Sequence, residues 1–322
     1  MTRWRVLLVA VTAAVTASNL WAQSTNRIGA VPGQFDMIKV QAPYLYASAG
    51  RTLTVFDVSD PAAIRKVGAY TLPEEIWAFR VAGNEVYLGT NFAGVSILDV
   101  SNPARPVLKA AYKTRGQAKT ASPFGTKVIV VDHMEGLVLV DVSTPSTPMT
   151  AASFFVDGYA RDVVTVGPLA YAVDSPTGFY VLDLSKPGPL EPVATLQSGT
   201  ALRTIEIMFG EDGRTPRAAV MTGGGTVQLY DLANPRAPVK AGTLRTPGGA
   251  VHVALDGSRG YVADGREGVA IVDLSSLAEP RLVSSFMTPM PARDVAVSRD
   301  MIFVATGAQD GSGEVIVLRE TR

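Results

Sequence analysis

The feature that most constrains this chain is a short phrase that returns at a fixed interval. TVFDVSDP (54–61) is followed by SILDVSNP (96–103), LVDVSTP (139–145), VLDLSKP (181–187) and LYDLANP (229–235), with a looser IVDLSSLAEP (271–280). Its aspartates, Asp57, Asp99, Asp141, Asp183, Asp231 and Asp273, lie 42, 42, 42, 48 and 42 residues apart, and EVIVL places Leu318 at the equivalent point 45 residues further on. One period running through a whole chain marks a repeat architecture. Each unit alternates apolar and polar residues with period two, in short β-branched runs separated by Gly, Pro, Asn or Asp. The sixth unit, for instance, reads VHVALD, RGYVAD, GVAIVDL and RLVSSFM, four strands in about 40 residues. No amphipathic helical pattern occurs beyond the N-terminus. Seven such units predict an all-β, seven-bladed β-propeller of four-stranded blades.

Ring closure is legible at the two ends. The last unit stops after its third strand, while NRIGAV (26–31) resembles RKVGAY (65–70), the fourth strand of the first unit. The N-terminal strand, residues 27–31, is therefore expected to complete the last blade and to cover its open edge.

The units A-R-D-V-A-V…I-F-V-A-T and G-V-A-I-V-D-L-S, together with D-V-S-D-P, resemble the LVIVD-repeat β-propeller family over nearly all of the chain after the N-terminus. The resemblance implies the propeller fold and an exported location; it implies no particular ligand, reaction or cofactor. The last unit departs from the pattern, with Leu318 in place of the aspartate.

Residues 1–22 read as a secretory signal: Arg3 and Arg5 precede an apolar stretch, 6–17, and a cleavage point follows Ala22. The stretch is shorter than the roughly 20 residues a membrane-spanning helix needs. Residues 23–322 would then form one propeller domain with no membrane span. With no cysteine, the chain can form no disulfide, thiol nucleophile or thiolate metal site. Export without disulfides fits a periplasmic or secreted protein. Lys plus Arg equals Asp plus Glu at 29 each, so no net field draws in nucleic acid.

Propeller topology assigns each motif to a face. The D-[VL]-S-x-P phrase ends the third strand and turns into the fourth, on the face called here the bottom. There an Asp side chain accepts a backbone N–H two residues on, and the Pro stops the strand. Six copies spread around a ring cannot converge on one ligand, so the phrase is scaffold. The opposite, top face varies from blade to blade. Asp36, Ala78, Thr120, Asp162, Thr204, His252 and Asp294 enter the innermost strands, preceded by Phe35, Trp77, Lys119, Arg161, Arg203, Val251 and Arg293. Guanidinium groups grip carboxylates or phosphates, and aromatic faces suit sugars or planar rings. Trp77, Lys119, Arg161, Asp162, Arg203, His252, Arg293 and Asp294 are thus the candidate ligand-binding residues, for a protein or a small anionic or glycan ligand. Arg161-Asp162 and Arg293-Asp294 would equally serve as pairs between adjacent blades.

Ser48, Thr90, Asp132, Asp174, Thr222, Asp264 and Thr306 end the second strands, where small acceptors cap loops. The Gly- and Asp-rich stretch 309–312 lacks the ligand spacing of a calcium loop. The insertion 210–216 lengthens a bottom hairpin of the fifth blade. His133 and His252, the only histidines, belong to blades three and six, too far around the ring to share a metal. No G-x-S-x-G elbow occurs, and the Gly-rich 222–225 joins two strands and lacks the helix that cradles phosphate. These absences point to a non-catalytic binding or scaffolding module without cofactor or metal. The alternative is a hydrolase or lyase using Asp162, Asp294 and His252. A quinone-cofactor dehydrogenase would call for more blades and a calcium site.

Overall fold

A computed structural model describes residues 25–320, except 176, 177, 198, 211 and 224. The expected signal segment lies outside the described residues. Among those residues no helix is long and apolar enough to cross a membrane. The 28 strands form seven antiparallel four-stranded sheets, each running in simple order from an innermost to an outermost strand. Six sheets are consecutive in sequence; the seventh joins Ala292–Ser298, Met301–Gly307 and Gly313–Glu320 to the N-terminal strand Thr25–Pro32. In that closing pair Ala30 faces Ile316 and Val31 faces Val315. The architecture is the seven-bladed propeller with the N-terminal clasp that the sequence predicts.

The core is divided into seven clusters, one at each blade–blade interface. Period-two alternation turns one set of residues toward each neighbour, so every blade contributes to two clusters. Tyr46, Leu53 and Val55 of blade one, for example, pack on Phe79, Val86 and Leu88 of blade two. Val31 joins Phe35, Ile38 and Val317 at the closing interface, so the clasp buries apolar surface as well as pairing an edge.

The recurring bottom phrase has the turn chemistry expected of it. The first carboxylate oxygen of each repeated aspartate accepts the backbone N–H two residues on, from Asp57 with Ser59 at 3.0 Å to Asp273 with Ser275 at 2.8 Å. The turn also locks one blade to the next. A Cβ on Gly29 would fall 2.0 Å from the Pro61 carbonyl oxygen, and one on Gly68 would fall 2.1 Å from that of Pro103. Both glycines lie on outermost strands, against the turn of the following blade. Strand pairing puts Ala110, Ala152, Ala194, Gly242 and Ser284 at the matching place in the remaining blades. The backbone approach of the next turn therefore holds this position to the smallest side chains all round the ring.

Candidate functional site

The top mouth of the channel opens into a cavity of about 510 Å³. Trp77, Lys119, Arg161 and Arg203 line its upper wall, and Thr120 and Thr204 add hydroxyls. The connector between blades one and two presents Trp77, which remains 46% exposed. The Lys119 ammonium lies 2.8 Å from the Trp77 ring centroid, a cation–π contact with a buried lysine. Burial and the neighbouring Arg161 push the Lys119 pKa down to about 8. Arg161 and Arg203 are exposed, and among the described residues neither has a carboxylate partner. Beside them, His133 stacks on Tyr159 with ring centroids 4.5 Å apart, and its Nδ1 is buried without a hydrogen-bond partner. Burial, Lys119 and Arg161 all lower its pKa, so His133 is neutral at pH 7.

One layer deeper the charges are balanced. Lys39, Arg80 and Glu206 are each the third residue of an innermost strand: Met37–Gln41, Ala78–Ala82 and Thr204–Phe209. Alternation directs all three into the channel while Ile38, Phe79 and Ile205 enter the core. Glu206 lies 3.0 Å from Lys39, 3.8 Å from Arg80 and 3.7 Å from His252 Nε2. Arg80 also pairs with Asp162 at 2.9 Å, and His252 Nδ1 lies 2.8 Å from Asp294. Three cations thus face three carboxylates, and the carboxylates are further tied to backbone. Asp294 accepts the N–H of Ile38 at 2.7 Å, and Asp162 accepts that of Ile205 at 3.1 Å, each across to the following blade.

Burial alone would neutralise these groups, but their neighbours keep them charged. For His252, burial and Lys39 are outweighed by the Asp294 and Glu206 carboxylates, and its pKa is pushed up to about 9. For Glu206, burial is outweighed by Lys39, Arg80 and His252, which hold the carboxyl well below the usual range. This ionic layer separates the upper cavity from a lower one of about 330 Å³, which Lys39, Arg80 and Glu206 also line.

The structure brings six of the eight candidate residues, Trp77, Lys119, Arg161, Asp162, Arg203 and His252, onto the wall of the upper cavity. Asp294 is buried beneath it, holding His252 in place. Arg293 is turned away toward Asp36, 3.8 Å distant, and the side chain of Gln34. Phe35 is a core residue, edge-on to Phe56. The inter-blade role considered for the Arg-Asp dipeptides is filled by both aspartates, which accept backbone N–H groups of the next blade, and by Arg293, which faces Asp36 at the entry to blade one; Arg161 takes no such part. Of the residues named for hydrolytic chemistry, His252 is a protonated imidazole between carboxylates. Both Asp162 and Asp294 carry ion pairs and backbone hydrogen bonds, so neither is a free general base. The second-strand acceptors staple loops: Asp132 accepts the N–H of Met134 and of Glu135, and Asp264 that of Gly248. Asp310 makes the same local turn with Ser312 at 2.9 Å. Among the described residues no group of three or more His, Asp and Glu side chains is arranged to hold a metal ion.

Lys39, Arg80 and Glu206 escaped the sequence reading, which considered only the residues entering each strand. The signal was present: a charge two positions beyond Ala78 and Thr204 and three beyond Asp36, in each case the third residue of the strand.

Fold and site together define a seven-bladed β-propeller whose axial channel is closed by an internal ionic layer and open at a cationic, aromatic mouth. The LVIVD repeat model matches residues 32–71, 77–114, 125–155, 157–191 and 247–288, more than half of the sequence, and the chain belongs to the LVIVD repeat family. No curated protein matches it. Solved structures share the fold at low identity. The Myceliophteria thermophila Cps50 (Swd1) β-propeller domain is 12% identical with a TM-score of 0.74, covering 92% of this chain and 99% of that one. A chain of the Mitotic Checkpoint Complex is 12% identical with a TM-score of 0.71, covering 100% and 99%. The computationally designed Ika8 protein is 9% identical with a TM-score of 0.66, covering 91% and 99%.

Proposed function

We propose that this chain is an exported, non-catalytic binding module that engages an anionic ligand at the top mouth of its channel. The observation that carries this reading is the set of cations around the 510 Å³ cavity, Lys119, Arg161 and Arg203: among the described residues no carboxylate forms an ion pair with any of them, and Asp132 acts on Lys119 only from beyond ion-pair range. Burial has already stripped part of the water from Lys119, while Arg161 and Arg203 stand exposed without a carboxylate partner, and a carboxylate or phosphate supplies hydrogen bonds to all three. Thr120, Thr204 and Trp77 add the polar and planar surfaces that orient such a ligand. Export rests on the n-region arginines, the short apolar stretch and the absence of cysteine.

Calorimetric titration with citrate and with an acidic sugar tests the ligand class. Binding is expected to weaken at least tenfold in the Arg161→Ala/Arg203→Ala double variant. It is also expected to weaken as the pH rises through about 8, where Lys119 loses its proton. Equal affinity in wild type and double variant overturns the reading. Mass spectrometry of the chain from its native host, expected to begin at Gln23, tests export.

A further inference from the structure

Blades two to four carry a second feature at the same mouth. Among the described residues, six large apolar side chains of the top face are strongly exposed, and five of them fall in this one arc: Trp77, Phe92, Met134, Phe155 and Tyr159, at 46–69%. The sixth, Met287, is on the connector between blades six and seven. The arc is physically continuous. Asn91, beside Phe92, pairs by its backbone with Ala118, next to the Lys119 that lies on Trp77. Met134 packs on Gly116, the backbone at Phe155 packs on Gly136, and Tyr159 stacks on His133. Soluble proteins seldom gather so many exposed aromatic and Met side chains on one rim unless something covers them.

We propose that the arc and the cavity form one composite site for an acidic peptide segment of a partner protein. Aromatic or aliphatic residues of the segment lie on Phe92, Met134 and Phe155, and its carboxylates reach inward to Lys119, Arg161 and Arg203. The proposal deepens the function given above and rests on it. Charge complementarity chooses the occupant and its direction. Lys119 and Arg161 stand on the channel side of the arc, with Arg203 on the next connector, and none is in an ion pair, whereas the outer connectors carry both signs: Glu74, Glu75 and Asp157 with Lys113 and Arg115, the last paired with Glu135 at 3.3 Å. A bound segment is therefore drawn carboxylate-first toward the channel. A small anion would fill the cavity and leave the arc uncovered; a flat apolar partner would cover the arc and leave the cations unpaired. The hot-spot pattern of protein recognition, exposed aromatics beside arginines, is met only when both are used together.

Peptide display against the purified propeller tests this, with the recovered peptides remade synthetically. Enriched peptides are expected to carry two or more carboxylates within about five residues of an aromatic, Leu or Met. Their affinity is expected to fall tenfold or more both in Arg161→Ala/Arg203→Ala and in Phe92→Ser/Phe155→Ser, with melting temperatures unchanged. Amidating the peptide C-terminus separates a terminal carboxylate from Asp and Glu side chains as the source of the charge; loss through either route supports the proposal. Three results overturn it: no enrichment, enriched peptides without acidic residues, or affinities indifferent to the two phenylalanines. Citrate or acidic-sugar binding that depends on the arginines but not on the phenylalanines, together with any of these, sinks the peptide site and leaves the anion-binding function standing. Concentration-dependent dimerisation abolished by Phe92→Ser/Phe155→Ser would assign the arc to a second copy and also overturn the proposal.

Discussion

The mouth and the floor of the channel are built from the same residue types and put them to opposite uses. On the floor, Lys39, Arg80 and His252 meet Glu206, Asp162 and Asp294, and every charge is answered inside the protein. At the mouth, Lys119, Arg161 and Arg203 are met by an indole face, a neutral histidine and solvent, with the Asp132 carboxylate acting on Lys119 from beyond ion-pair range. The floor is thus part of what holds the blades in register, and the mouth is a surface with unspent bonding capacity. The difference shows that charge content alone does not locate a functional site. What matters is whether the fold itself has already supplied the counter-charges.

The sharpest way to break this comparison is to remove the hub of the floor. Glu206→Leu leaves Lys39, Arg80 and His252 around a hydrophobic residue, and stripping one partner from a buried charge cluster costs about 3–5 kcal/mol. Thermal unfolding should move down by roughly ten degrees, at about 2–4 °C per kcal/mol; a shift within one degree would show the floor to be dispensable.

The next effect is pH-dependent. The folded pKa of His252, about 9, is above the ordinary 6.5, so its stabilising contribution is complete below pH 6.5 and lost as the pH rises through 9. The unfolding free energy from denaturant titration should fall over that window by an amount on the order of 1–3 kcal/mol. The fall should be largely absent in His252→Gln, and equal slopes in the two proteins would contradict the assigned charge state.

Lys119 should behave in the reverse sense. Its folded pKa, about 8, is below the ordinary 10.5, so its charged form weighs against folding at pH 7 and the penalty is relieved as the pH rises through that range. Lys119→Met should therefore stabilise the protein at pH 7 by about 1 kcal/mol, an advantage that shrinks by pH 10. Smallest of all is the effect of Arg161→Ala/Arg203→Ala on folding, expected within about 0.5 kcal/mol because neither arginine is spent on the structure. A large loss in that variant would move the mouth into the same class as the floor.

The fold was legible because a propeller states itself seven times. The interval between Asp57 and its successors, the alternation within each unit and the likeness of NRIGAV to RKVGAY each point to the same ring, and each is a local pattern repeated. The mouth was partly legible, since counting back from the repeated aspartates reaches Trp77, Lys119, Arg161 and Arg203. The floor was not. Lys39 and Glu206 are 167 residues apart and on blades one and five, and only closure of the ring brings them within 3.0 Å. Taken singly, a charged residue in a strand looks like a solvent-facing one, because the channel and the outside follow the same period-two rule. Arg293 shows the converse: its position resembles that of Arg161, but a neighbouring glutamine and Asp36 turn it away from the cavity.

The small residue on each outermost strand has a consequence that reaches the centre of the molecule. A closed ring has a fixed circumference, shared among seven joints, and none can widen unless the others give way. At Gly29 and Gly68 the joint is a backbone resting on a carbonyl, with no side chain between. The outer rim therefore works as a gauge. The joints at Ala110, Ala152, Ala194 and Ser284 are already spaced for a Cβ, but at Gly29 and Gly68 a methyl group would have to displace the neighbouring carbonyl, and that displacement would be read at the hub as a change in the bore.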